Sequence, residues 1–288
     1  MTNFSGLINK NYQSESLVKE AKMSNYFQNK TALISGASSG IGKALTLQLA
    51  RQGCRVALLA RTQSRLEEVA EQVRSAGGQA LVLPTDLTDS NAIHAAVHTA
   101  LEAWKHLDFV FSNAGQYHRS PIIDLNVEQL RKSMEINFYS HVELVLAVLP
   151  SMLERKSGHL VLVSTMDAKK GIPPDTPYVA AKCALAGFGD ILRQELHGSG
   201  VQVTLVFPGR VDTPMVENLE VPWISAKISA EACAKAILKG VQKRKAEIIL
   251  PPQTLLLYYL QVFAPRLADF AVRFFRLEGW ESSERGVS

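Results

Sequence analysis

Between residues 31 and 207 the chain alternates short, almost wholly apolar runs with longer segments of helical period, and few folds accept that alternation. The runs are 31–35 (TALIS), 55–60 (RVALLA), 80–83 (ALVL), 108–113 (DFVFSN), 159–165 (HLVLVST) and 201–207 (VQVTLVF). A strand with one wet face alternates polar and apolar residues. These runs are apolar on both parities, as in strands buried on both faces of a parallel sheet. An amphipathic stretch at 41–52 and a charged one near 64–76 separate the first three. Parallel neighbours need a crossover, and right-handed helical crossovers build a doubly wound α/β sheet of the Rossmann type. No repeat or linker interrupts the pattern, so one domain is expected over 28–250, with an N-terminal arm at 1–27 and an extension at 251–288.

Composition narrows the function classes. The 288 residues are 47% apolar and 20% charged, with a net charge of +4, which is ordinary for a globular α/β chain. Nothing concentrates Lys and Arg as nucleic-acid binding requires. Cys54, Cys183 and Cys233 are odd in number and widely spaced; buried, reduced thiols are expected. The first 27 residues lack a signal-peptide apolar core, and no run of about 18–20 apolar residues is long enough for a membrane span. A cytoplasmic protein follows as the expectation.

The extension breaks the pattern. Residues 251–277 hold an uncharged apolar stretch at 254–264, then Arg266, Arg273 and Arg276 among aromatics. Three readings remain open: a core or dimer-interface helix, a lid over a substrate site, or an interfacial helix giving peripheral membrane contact.

Directly after the first run stands Gly36-Ala37-Ser38-Ser39-Gly40-Ile41-Gly42. Glycines let the backbone turn tightly against a pyrophosphate, and the N-terminus of the following helix offers free N–H groups. The spacing is GxxxGxG rather than GxGxxG, and glycines in a turn also serve simply as caps. The second run ends Leu59-Ala60-Arg61-Thr62, with no acid before Glu67. An acid there would suit the ribose 2′-hydroxyl of NAD, whereas the Arg61 guanidinium suits the 2′-phosphate of NADP. Arg61 is otherwise a solvated arginine at a helix start.

With these residues in hand, the chain resembles the short-chain dehydrogenase/reductase family over roughly 28–250. The segment 35–42 looks like that family's cofactor loop, and Asp86, followed by Leu87, matches its adenine-contacting aspartate. Ser112-Asn113-Ala114-Gly115 matches the NNAG motif with one substitution. Pro208, Gly209, Val211 and Thr213 resemble the loop that receives the nicotinamide amide, and Asn137, Tyr178 and Lys182 fall at catalytic positions. The resemblance implies a nicotinamide cofactor, here NADP(H), and a water held by Asn137 that links Lys182 to solvent. It also implies a homo-oligomer paired through the helices of Asn137 and Tyr178. The greasy extension is similar in position and character to tails of microsomal members acting on steroids or keto-lipids.

The chemistry needs a proton donor at a carbonyl oxygen while hydride reaches the carbon. Tyr178 and Lys182, four apart, share a helix face, and neighbouring positive charge would lower the phenol pKa. A second Tyr-x-x-x-Lys at Tyr26 and Lys30 has no phosphate loop before it and is assigned to chance. The family's serine stands thirteen residues before the tyrosine, where this chain has Thr165; Ser164 is one residue earlier. Neighbours on a strand face opposite ways, so only one hydroxyl can face the cofactor. Thr165 needs no insertion to do so, and its methyl group would stiffen and narrow the site.

Other groups read as bland. His118, His141, His159 and His197 lack ligand spacing, so no metal is expected. Asp167 and Lys169 lie where they would tune substrate polarity, although loop charges are often merely solvated. Met215 opens an apolar stretch (Val216, Leu219, Val221, Pro222, Trp223, Ile224) where the family places a substrate loop. The expectation is an NADP(H)-dependent oxidoreductase interconverting a lipophilic ketone and a secondary alcohol. Its alternatives are a non-catalytic NADP(H) sensor or scaffold, or a membrane-surface protein acting through its extension.

Overall fold

The computed structural model describes residues 26–225 and 227–281; the arm expected at 1–27 falls almost wholly outside them. The six apolar runs form β1 (Thr31–Ser35), β2 (Arg55–Ala60), β3 (Ala80–Pro84), β4 (Phe109–Ser112), β5 (Gly158–Val163) and β6 (Val201–Pro208). A seventh strand, β7 (Glu247–Leu250), was not anticipated from sequence; its four residues are too few to stand out beside the apolar extension. All pair in parallel, in the order β7-β6-β5-β4-β1-β2-β3. The chain leaves β1 towards β2 and β3, then returns to lay β4 on the other side of β1, with Leu33 opposite Val110. Loops diverge at that switch point and open a crevice at the carboxyl ends of the strands.

Each strand feeds two cores, as period two demands. Ala32 and Ile34 join Val56 and Leu58 under α1 (Gly40–Arg51), α2 (Gln63–Ser75) and α7 (Ala230–Gln242). Leu33, Ala57 and Leu59 face the opposite way. They pack with Ile93 of α3 (Ser90–Trp104), Val148 of α5 (Ser140–Glu154) and Leu185 of α6 (Thr176–Glu195). Residues such as Leu33 and Ile34 are fully buried, so truncating either to Ala costs about 2–5 kcal/mol. Gly189 lets α6 lie close on the sheet: a Cβ there would sit 2.5 Å from Leu205 Cδ2.

Helix α4 (Val127–Met134) runs through a π turn, Glu135–Tyr139, into α5. Contrary to the sequence expectation, this continuous helix is long and apolar enough to cross a membrane by length and composition, with a mean hydropathy of 1.3. It is nevertheless a core helix here, because Leu144, Val145, Val148 and Met152 are buried. The thiols also correct the reading: Cys54 and Cys233 are buried, but Cys183 is exposed. It neighbours Lys182 on α6, and one step of about 100° turns it from the buried side to the surface. Tyr26, of the chance Tyr-x-x-x-Lys, packs its ring 5.0 Å from Phe27 and 5.9 Å from Phe109.

The extension forms two helices, α8 (Thr254–Phe263) and α9 (Pro265–Phe274), then a short strand, Trp280–Glu281, antiparallel to Leu219–Glu220. Ala268 and Val272 seat α9 inward, while Leu256, Phe263, Phe270 and Phe274 remain exposed. Side chains from the body of the fold hold the segment down: Arg119 donates to the Glu278 carbonyl at 3.0 Å, Arg210 to that of Leu277, and Lys170 pairs with Asp269.

Candidate active site

The crevice at the switch point is a cavity of about 730 Å³. One end is built by the glycine turn after β1. Gly36 and Gly40 have φ of +68° and +51°, and a Cβ at Gly42 would fall 2.1 Å from the Gly36 carbonyl oxygen, so only glycine lets the turn fold onto itself. Gly36, Ser38, Ser39, Gly40 and Ile41 line the cavity, and Gly42 packs beneath them. Ser35 Oγ accepts from the backbone N–H groups of Asn113 (2.9 Å) and Ala114 (3.0 Å), and Asn113 Nδ2 donates to the Ser35 carbonyl. These bonds lock the β1 and β4 loops together.

The residues fit a dinucleotide phosphate. Helices α3, α4 and α7 carry side-chain N-caps from Asp89, Asn126 and Ser229, whereas α1 and α2 have none. The starts of α1 and α2 border the cavity, which leaves their first N–H groups and positive dipole ends for an anion. Arg61, Thr62 and Arg65 gather at the α2 end, with Asp86 and Leu87 across from them. Hydrogen bonds from Thr88 N (3.0 Å) and Thr88 Oγ1 (2.8 Å), then the charge of Arg61, hold Asp86 below the usual carboxylate range. Asn113, Ala114, Gly115, Pro208, Gly209, Val211 and Thr213 complete the wall.

The other end holds the titratable groups. Tyr178 and Lys182 reach the cavity from the first turns of α6, whose start is fixed by Asp175. That carboxylate accepts from Tyr117 Oη (2.7 Å) and Arg119 Nε (3.2 Å), and the Tyr117 ring meets the Tyr178 ring edge-on at 5.2 Å. The two hydroxyls after β5 part company. Ser164 Oγ donates to the Lys182 carbonyl at 2.9 Å and so tethers α6. Thr165 Oγ1 donates to the Pro208 carbonyl at 3.5 Å and accepts from Asp167 N at 3.2 Å, on the side of the Tyr178 phenol, whose pKa it lowers.

Burial, with the charges of Asp167 and Asp175, raises the Tyr178 pKa in the protein by itself, only partly offset by Thr165. The lowering expected from sequence is therefore not found in the protein by itself. Burial holds Lys182 at about 7. Its Nζ donates to the Val163 carbonyl at 3.0 Å and lies 3.3 Å from His141 Nε2. His141 is itself fully buried and held well below its ordinary pKa, first by burial and then by Lys182. Its Nδ1 is 2.6 Å from Ser112 Oγ. The NNAG substitution, Ser112, is thus the imidazole's hydrogen-bond partner.

Several expected residues sit elsewhere. Asn137 does not line the cavity; its amide donates to the Gln116 carbonyl (2.9 Å) and Ser133 Oγ (3.1 Å), and its Oδ1 accepts from Gln116 N. Lys169 does not reach the cavity either: it pairs with Glu247 at 3.0 Å and lies 4.2 Å over the Phe207 ring. Leu219 is buried beneath the Trp280 strand, and Trp223 is exposed, which leaves Met215 and Val216 as the loop's cavity residues. Sequence reasoning passed over Arg65, Gln116, Tyr117 and Arg210, which all line the cavity; Arg65, one helical turn beyond Arg61, was the legible one. Among the described residues no His/Cys/Asp/Glu group has metal-site geometry.

Comparison with known proteins agrees with this layout. The short chain dehydrogenase family model matches residues 30–222. A fatty acyl-CoA reductase of Acinetobacter baylyi is 34% identical over 80% of this chain and 78% of its own. Dehydrogenase/reductase SDR family member 7B of Rattus norvegicus is 32% identical over 87% and 82%. A ketoacyl reductase, HetN, of a Nostoc species is 31% identical over 77% and 78%. A short-chain type dehydrogenase/reductase structure from Mycobacterium marinum superposes with a TM-score of 0.74 at 22% identity, covering 80% of this chain and 96% of that one. The chain belongs to the short-chain dehydrogenase family of oxidoreductases.

Proposed function

We propose that the protein is an NADP(H)-dependent reductase of lipophilic ketones, working reversibly on the secondary alcohol, with Tyr178 as the acid/base. The observation that carries the reading is the meeting of Tyr178, Thr165 and Lys182 in one cavity with the glycine turn and Arg61. Ser38, Ser39 and the α1 start would hold the pyrophosphate, Arg61 and Arg65 the 2′-phosphate, and Val211 and Thr213 the nicotinamide end. The cofactor, when bound, supplies or accepts the hydride. Tyr178 gives its proton to the carbonyl oxygen, Thr165 donates a hydrogen bond that orients that oxygen, and Lys182 stabilises the phenolate. With the Asn137 amide engaged at Gln116, its part is to hold the Gly115–Gln116 wall; a water relay to Lys182 would have to use other atoms.

A lipophilic substrate is supported by Met215 and Val216 on the cavity wall and by relatives named for fatty acyl-CoA and ketoacyl reduction. On this reading 28–250 is the catalytic unit. Residues 251–288 then form an extension whose exposed Phe263, Phe270 and Phe274, flanked by Arg266 and Arg273, rest on a membrane surface at the cytoplasmic side. Exposed Tyr139, Leu146 and Ile191 on α5, its π turn and α6 support pairing of two copies there. NADPH and NADH fluorescence titrations, repeated with Arg61→Asp, test the cofactor reading. Preference for NADPH that is lost in the variant supports it; equal binding by the wild type overturns it.

A further inference from the structure

Asp167 has no part in the scheme above, yet it stands beside its centre. It lies two residues past Thr165 in a short 3-10 turn, Met166–Ala168. Its main-chain N–H donates to Thr165 Oγ1 at 3.2 Å, which sets the carboxyl beside that hydroxyl. It lines the cavity together with Tyr117, Tyr178 and Arg210. The neighbouring acid, Asp175, is answered by Arg119 in an ion pair. Among the described residues Asp167 has no such partner within ion-pair distance.

That placement works against the chemistry unless something answers the charge. A carboxylate next to Tyr178 raises the phenol pKa and opposes phenolate formation. Burial and Asp175 lift Asp167 to about 6, with Arg210 opposing; at neutral pH the group is still mostly ionised. The groups facing it are Thr165, Tyr178, Asp175, Cys183 and Arg210. Arg210 is the only cation of the set, and it is drawn towards the Leu277 carbonyl of the C-terminal segment. A cation delivered by the substrate would satisfy the carboxylate and relieve Tyr178 at once.

We propose that Asp167 anchors a basic nitrogen of the substrate, so that the cavity takes amino ketones and amino alcohols whose ammonium lies within a few bonds of the reacting carbon. The inference rests on the reductase reading above and narrows its substrate class to amphiphilic amines: the charge meets Asp167 and the alkyl portion runs along Met215 and Val216. The selectivity comes from a buried acceptor left unanswered by a neutral analogue.

The test uses the full chain with NADP+ and two ligands: an alkyl vicinal amino alcohol, and the same alcohol with methyl in place of the amine. Calorimetric binding and kcat/KM for oxidation are measured near pH 8. The amine is expected to be preferred about tenfold or more, the worth of a charge-assisted hydrogen bond. Asp167→Asn should reduce that ratio to near one, and in the wild type the preference should fade as pH drops below about 6. The pH series decides the matter even if the variant fails to fold. No preference in the wild type, or one that survives in Asp167→Asn, overturns the anchor. Turnover of both alcohols without discrimination sinks the anchor alone. Discriminating binding with no turnover of any alcohol or ketone sinks the reductase reading instead.

Discussion

Lys182 Nζ and His141 Nε2 lie 3.3 Å apart inside the protein, although 41 residues separate them in the chain. An ammonium has no acceptor to offer, so the imidazole accepts there and its Nδ1–H donates to Ser112 Oγ at 2.6 Å. The neutral ring thus gives the Lys182 ammonium a second acceptor beside the Val163 carbonyl. On the proposed chemistry His141 would act as a positioning residue through Lys182.

Replacing His141 by Leu removes that acceptor and favours neutral Lys182, already held at about 7. The alkaline limb of the kcat/KM profile for ketone reduction should move to lower pH by about one unit, the worth of one hydrogen bond to a charged group. His141→Gln, which can still accept, should keep most of the wild-type limb. A limb unmoved in His141→Leu would remove the residue from this role.

The two hydroxyls after β5 should separate by phenotype. Thr165→Val removes the hydroxyl proposed to orient the carbonyl and should lower kcat by about 10²-fold or more, while Thr165→Ser retains activity. Ser164→Ala breaks only the bond to the Lys182 carbonyl, so about 1 kcal/mol of stability should go with little change in kcat. Steady-state rates and thermal unfolding on the same three variants read both outcomes.

Tyr178→Phe tests the acid/base assignment directly. Carbonyl reduction should fall by about 10²–10⁴-fold, with NADPH binding by fluorescence unchanged. Retained turnover would move the proton donor to another group of the cavity.

His159 supplies a pH dependence of stability from the start of β5, the opposite end of the strand from the cavity. Thr204 Oγ1 donates to the Lys245 carbonyl at 2.6 Å, so it must accept from His159 Nε2–H at 2.8 Å. Burial, with the charge of Arg244, holds the imidazole at about 4, against 6.5 for the free side chain. Between those values the unfolded chain binds more protons. The stabilisation is thus complete above about pH 6.5 and is lost as pH falls towards 4, on the order of 3 kcal/mol for this group. His159→Gln keeps a donor to Thr204 without the titration, so its melting temperature should fall less steeply over that window.

What the sequence determined by itself was local. Unbroken apolar runs specify strands buried on both faces, and Gly36, Gly40 and Gly42 specify a turn only glycine can make. The four-residue spacing of Tyr178 and Lys182 puts both on one side of α6, and Arg61 marks the end of β2. Each rests on backbone periodicity or on sterics between residues close in the chain. Tertiary structure decided what depends on distant partners. Ser164 turns to the α6 backbone while Thr165 faces Tyr178. The Asn137 amide goes to Gln116, Lys169 leaves the cavity for Glu247 and Phe207, and Ser112 and His141 close a network on Lys182. The short edge strand β7 gains its identity only by pairing with β6. Whether a polar side chain points into a cavity or into packing is set by which acceptors other segments bring within about 3 Å, and no spacing along the chain carries that information.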